Sequence, residues 1–223
     1  MTTPEAPAAV RSFFLPGAAG QLEALLNGGA PEAPCVALVC HPHPLYGGTM
    51  HNKVVFNLMK ALNAHGLPTL RFNFRGTGLS QGRHDQGRGE ADDVRAALAW
   101  LKAEFNLPVI FAGFSFGAGV GLKPAAADPQ VAALIAAGMP IQVEGRLYNY
   151  SFLKTCALPK LIISGDRDQF STAEQLRALH STLPEPKQLT LIKGADHFFE
   201  PGFLPELRST VEEWAARFLQ NLQ

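Results

Sequence analysis

The chain is short of cysteine, of charge of one sign and of long apolar runs. Its 223 residues include three cysteines, Cys35, Cys40 and Cys156, and none falls in a C-x-x-C spacing. That argues against a disulfide framework and leaves a zinc site without a ligand set. Lys plus Arg and Asp plus Glu balance at 19 each, for a formal net charge of zero. With no basic stripe and no polybasic patch, neither nucleic acid nor a membrane surface is expected as a partner. No apolar run approaches the roughly 20 residues that cross a bilayer. The first residues lack a charged stretch followed by an apolar core, so they do not read as a secretory signal. These absences together fit a cytoplasmic location.

What is present is an apolar share of 47%, enough to build a sizeable core and too much for a disordered chain. Residues 1–7 are rich in Pro and Ala and read as a flexible tail; residues 8–223 read as a single domain. Segments 8–15 and 21–27 read as an antiparallel pair of strands around a turn at Pro16-Gly17. Leu22, Leu25 and Leu26 also fit a short helix. From Cys35 onward, short apolar runs alternate with helical periodicities. Runs at 35–40, 68–74, 108–112, 131–138, 159–164 and 187–192 are strand-like. Segments 52–65, 90–105, 172–183 and 204–222 carry helical spacing, and a further helix follows residue 115 and ends near Pro124. Alternation of this kind predicts an α/β fold: a mostly parallel central sheet of about eight strands, with helices on both faces. In such sheets the loops at the carboxyl ends of the strands build the site. His41, Arg75, Ser115, Asp168 and His197 all fall in loops of that kind.

Gly113-Phe114-Ser115-Phe116-Gly117 lies between an apolar strand and a segment of small residues that can begin a helix. A G-x-S-x-G turn in that setting holds the serine in a strained conformation, its hydroxyl exposed and the next amide aimed at a developing oxyanion. A serine hydroxyl is a weak nucleophile. It needs a base, and the base needs an orienting carboxylate. Downstream, Asp168 follows one strand and His197 follows the last, which is the order Ser, Asp, His. Asp166 is the competing acid, two positions away. Read on its own residues, the 41–48 segment HPHPLYGG could offer His41 and His43 as metal ligands, but no third ligand has matching spacing. Its histidines are better suited to hydrogen bonds that hold the loop. Arg75-Gly-Thr-Gly resembles a phosphate-cradling loop without matching the required pattern.

HPHPLYGGTMHNKV at 41–54, FNFRGTGLSQG at 72–82, GFSFG at 113–117, SGDRDQF at 164–170 and GADHFF at 194–199 resemble the α/β-hydrolase superfamily. More narrowly, they are similar to small single-domain bacterial hydrolases of the dienelactone-hydrolase type. The resemblance implies an α/β-hydrolase fold with Ser115 as nucleophile, Asp168 as acid and His197 as base. Family loops of the form G-D-x-D favour Asp168 over Asp166, which then organises its own turn. One oxyanion donor is expected from the amide of Phe116. The second is expected from the 41–48 loop, where Pro42 and Pro44 have no N–H. That leaves Leu45 or Tyr46, with Leu45 preferred. Dienelactone hydrolases typically use a cysteine nucleophile, so Ser115 speaks against that particular activity.

Segment 139–157 is too short for a large cap domain. An open, shallow site is therefore expected, lined by Leu45, Tyr46, Phe116, Met139, Tyr148, Tyr150 and Phe198, with Arg146 the one basic residue nearby. The expected activity is that of a carboxylesterase on short-chain or small aromatic esters, through an acyl-enzyme intermediate and without cofactor or metal. An amidase or peptidase using the same three residues is the alternative. A non-catalytic interaction protein on this fold would need none of them. A small-molecule ester is the expected partner, and the chain is read as a monomer or a homodimer.

Overall fold

The structure is a computed structural model that describes residues 9–143 and 146–222, with Arg146 described by its backbone alone. The expected tail at 1–7 lies outside the described residues. Strands β1 (Val10–Gly17) and β2 (Gly20–Asn27) form an antiparallel hairpin. Leu22, Ala24 and Leu26 are buried at alternate positions of β2, the period of a strand and not of a helix. The turn lies at Ala18-Ala19 rather than Pro16-Gly17, because Gly17 pairs with Gly20.

The alternation begins with β3 (Val36–Cys40), α1 (Lys53–Asn63), β4 (Thr69–Phe72) and α2 (Arg88–Phe105). It continues with β5 (Val109–Phe114), α3 (Phe116–Ala127), β6 (Val131–Ala137), and a small hairpin of β7 (Gln142–Val143) and β8 (Arg146–Leu147). It ends with β9 (Lys160–Gly165), α4 (Ala173–Ser181), β10 (Lys187–Ile192) and α5 (Leu204–Gln220). The main sheet has eight strands in the order β1-β2-β4-β3-β5-β6-β9-β10. All neighbours from β4 to β10 are parallel, and β2 is antiparallel to both of its neighbours.

The continuous apolar strands are continuous because both of their faces are covered. Val36, Leu38 and Cys40 of β3 join the core under α2 and α3, while Ala37 and Val39 join the core under α1 and α5. Helix α3 runs past Pro124 to Ala127 instead of ending there. Near a C-terminus a proline forfeits one backbone bond and leaves the earlier turns intact. The apolar stripe of α5, Leu207, Val211, Trp214, Ala215 and Phe218, is buried within the chain. No helix among the described residues is long and apolar enough to cross a membrane.

Candidate active site

Strand β5 delivers Ser115 at a sharp turn into α3. Its backbone has φ 53° and ψ −120°, a conformation that costs a side-chain-bearing residue on the order of 1–3 kcal/mol. The two flanking glycines make the turn possible. A Cβ on Gly113 would sit 2.6 Å from the amide nitrogen of Ala118, and one on Gly117 would sit 2.5 Å from the carbonyl oxygen of Cys40. The amide of Phe116 is in the first turn of α3, where backbone donors have no partner within the helix and the helix dipole favours negative charge.

Three loops at carboxyl ends of strands bring Ser115, Asp168 and His197 together. Ser115 Oγ lies 2.8 Å from His197 Nε2. His197 Nδ1 lies 2.8 Å from Asp168 Oδ2. A carboxylate only accepts, so Nδ1 carries the imidazole proton and Nε2 is left to accept from the serine hydroxyl. Asp168 is buried and its charge is well met. Besides His197 it accepts from Ser164 Oγ at 2.9 Å, from the Phe170 amide at 2.8 Å and from the Ser171 amide at 3.2 Å. Asp166 points elsewhere, accepting from the amide of Gly194 at 2.7 Å. The His197 ring is held by Phe114, Phe170 and Phe198, with ring centroids 5.4, 4.6 and 5.4 Å away. Phe170 carries no role in the sequence reading; its position two residues after Asp168 is the signal that could have found it.

His41 is buried behind the site. It donates through Nδ1 to the carbonyl of Pro42 at 2.7 Å and accepts through Nε2 from the amide of Phe74 at 2.9 Å. Burial, joined by the neighbouring His43, lowers its pKa to about 4, against the opposing pull of the Pro42 carbonyl. His41 is thus a neutral rivet between the 41–48 loop and the end of β4, with both ring nitrogens committed. His43 packs its ring on Phe116 at 4.6 Å. His84, which as a polar loop residue would be expected in solvent, packs on both of them, at 4.9 and 5.7 Å, with Nδ1 2.9 Å from the buried Glu90 carboxylate. Among the described residues no group of three His, Cys, Asp or Glu is arranged to hold a metal ion. Burial pushes the thiol pKa of Cys35 up to about 12 and that of Cys40 well above its usual range, which keeps both protonated and unreactive.

A cavity of about 500 Å³ opens above Ser115. Its lining includes Tyr46, Phe116, Tyr148 and Phe198, as expected, together with His43, Asn52, Phe114, Pro140, Val143 and Phe170. Three expected lining residues are elsewhere. The Leu45 side chain is 70% exposed and outside the cavity lining, and its amide donates to His43 Nδ1 at 3.2 Å. Met139 is fully buried in the core under α3. Tyr150 is buried, and its hydroxyl donates to the Pro140 carbonyl at 2.7 Å. The β7–β8 hairpin and its flank contribute Val143 and Tyr148 to the wall of the site. Segment 138–159 otherwise holds only a short 3-10 helix, Ser151–Thr155, among its described residues.

Fold and site geometry define the class: an α/β hydrolase with no large cap. The α/β hydrolase domain family matches residues 39–216, and the chain belongs to that family. It is similar to an α/β serine hydrolase homologue from Coxiella burnetii, with 41% identity, 91% of this chain and 96% of the other covered, and a TM-score of 0.83. It is also similar to an α/β serine hydrolase without a lid from Xanthomonas campestris, at 34% identity over 97% and 98% of the two chains, with a TM-score of 0.84. An uncharacterised protein of Rickettsia prowazekii is 39% identical over 84% of this chain and 81% of its own.

Proposed function

We propose that the chain is a carboxylesterase acting on uncharged esters with a short-chain or small aromatic acyl group. The observation that carries this reading is the unbroken path Ser115 Oγ–His197 Nε2, His197 Nδ1–Asp168 Oδ2, two contacts of 2.8 Å each, at an aromatic cavity. In this mechanism Ser115 Oγ attacks the ester carbonyl carbon and His197 Nε2 takes its proton. The carbonyl π pair moves onto oxygen, and the resulting oxyanion accepts from the amide of Phe116. We assign the second oxyanion donor to the amide of His43 in place of Leu45. His43 lines the cavity beside Phe116, whereas the Leu45 amide is engaged by the His43 ring. A donor of this kind is worth roughly 3–4 kcal/mol in the transition state. Collapse expels the alcohol oxygen, which takes the proton from His197 and leaves the acyl group on Ser115. Water, deprotonated by His197, then attacks the acyl carbon, releasing the carboxylic acid and returning the proton to Ser115.

The lining named above contains no lysine and no arginine among the described residues, which supports uncharged substrates. The test is a fluorophosphonate probe with a panel of p-nitrophenyl esters run beside aminoacyl amides. The wild type is expected to be labelled and to turn over short esters faster than amides, and Ser115→Ala to lose both labelling and turnover. Equal labelling of both proteins would overturn the nucleophile, and faster amide cleavage would move the assignment to an amidase.

A further inference from the structure

The segment after β6 supplies one part of the cavity wall, Pro140, Val143 and Tyr148. Tyr148 is clamped from several sides. Its ring lies on the backbone of α3, so that a Cβ on Gly119 would sit 2.5 Å from Cε1 and 2.8 Å from Cδ1. Gly119 is one helical turn beyond the nucleophile, and its amide donates to the carbonyl of Ser115 at 2.9 Å. On another side the Tyr148 ring stacks on Tyr150, with centroids 6.4 Å apart and planes 11° apart. Tyr150 is itself immobilised by its bond to Pro140 and by Phe152 at 6.3 Å. The Tyr148 amide donates to Ile141 at 3.0 Å, and the amides of Ile141 and Gln142 donate to the Phe170 carbonyl at 2.9 and 3.1 Å. The wall is therefore tied both to the helix that carries Ser115 and to the loop that carries Asp168.

We infer that Tyr148 sets the size limit of the acyl group, and that Gly119 sets the position of Tyr148; the inference rests on Ser115 being the nucleophile. The acyl assignment follows from the proton path. The leaving alcohol must receive its proton from His197 Nε2, so it lies against His197 and the rings around it, Phe114, Phe170 and Phe198. Tyr148 packs instead on α3 and Tyr150, on the side left to the group that stays attached to Ser115. A glycine at 119 leaves room for the ring against the helix, and any side chain there would displace it; the cavity that Tyr148 lines is the open space next to it. Close-packed walls discriminate by methylene-sized differences in this way.

The experiment measures the rate of Ser115 labelling, by intact mass, with fluorophosphonates bearing methyl, butyl or phenyl on phosphorus. p-Nitrophenyl acetate, pentanoate and benzoate are run in parallel, with acetates of alcohols of increasing bulk as the opposite series. Tyr148→Ala is expected to raise the phenyl-to-methyl rate ratio by about tenfold, and Gly119→Ala to lower it by a similar factor. The double variant is expected to recover the loss seen in Gly119→Ala, since the ring being displaced is gone. If Gly119→Ala fails to fold, Tyr148→Ala alone decides. Ratios that stay within about twofold of wild type while Ser115 is still labelled would overturn the inference and leave the nucleophile standing. A size effect confined to the alcohol series would overturn it equally. Failure of every probe to label wild-type Ser115 would remove the reading on which it rests.

Discussion

Asp166 and Asp168 follow the end of β9 two positions apart, and their carboxylates are met by different partners. Asp168 faces His197 and three further donors, while Asp166 closes the turn onto Gly194. Asn at 168 would offer an amide N–H where Nδ1–H needs an acceptor, or else hold the imidazole in a competing tautomer. Asp168→Asn is therefore expected to lower kcat by about 10³–10⁴, the range for a lost triad carboxylate. Asp166→Asn keeps an oxygen for the Gly194 amide and is expected to stay within about tenfold. Steady-state rates on p-nitrophenyl acetate rank the two; the reverse order would move the acid to Asp166. Order along the chain and loop position made Ser115, Asp168 and His197 legible from sequence. The parts of Phe170 and His43 at the cavity were not read, because a ring packed against an imidazole or a neighbouring ring is decided by tertiary contacts, and the spacing of Phe170 from Asp168 offers only a weak signal.

Arg75 joins two elements, the end of β4 and helix α2. Its guanidinium forks onto Asp93 through Nε and Nη2, at 3.0 and 2.7 Å, and its amide donates to the same carboxylate at 3.0 Å. The side chains are 10% and 0% exposed. A pair this buried gives modest net stability when intact and a large penalty when one partner is removed. Arg75→Ala is expected to cost about 3–5 kcal/mol, since Asp93 stays behind without its cation. Glu104→Gln, which breaks the exposed pair with Arg11 between α2 and β1, is expected to cost less than about 1 kcal/mol. Urea unfolding of the two variants measures the contrast, and equal costs would contradict it. At this scale the main-sheet strands β3, β4, β5, β6, β9 and β10 and helices α1, α2, α4 and α5 were legible, because burial on both faces gives a strand a continuous apolar run and burial on one face gives a helix a period. The β7–β8 hairpin was not, because two-residue strands are too short to show one, and with it went the true contents of the cavity wall.

One pH dependence of the whole molecule's stability comes from His41. Its pKa is about 4 in the folded chain against an ordinary value of 6.5, with burial as the main cause. As pH falls through 6.5 the unfolded chain takes up the proton first, so the folded state loses stability down to about pH 4. A shift of this size corresponds to about 3 kcal/mol, present above pH 6.5 and gone near pH 4. His41→Gln lacks this titration, so the wild type's stability advantage over it is expected to shrink by about that amount between pH 7 and pH 4. Urea unfolding at both values checks this, and a constant difference would show that His41 is not the group responsible. The two cores either side of the sheet put that rivet behind the Ser115 turn, where it joins β3's loop to β4.

By itself the sequence determined the strand and helix alternation and the tight Gly-x-Ser-x-Gly turn from β5 into α3. Both depend on local signals, apolar period and glycines flanking a serine, and such signals survive in one dimension. Only the tertiary structure decided what surrounds that turn. Met139 and Tyr150 went into the core and Leu45 into solvent, while Phe170, Val143 and Pro140 came to the cavity. The direction of a side chain on an irregular segment is set by what packs against it from distant parts of the chain. Gly119 shows this most directly: it reads as one more small residue after Ser115, and becomes the seat of Tyr148 only once the segment following β6 folds back across α3.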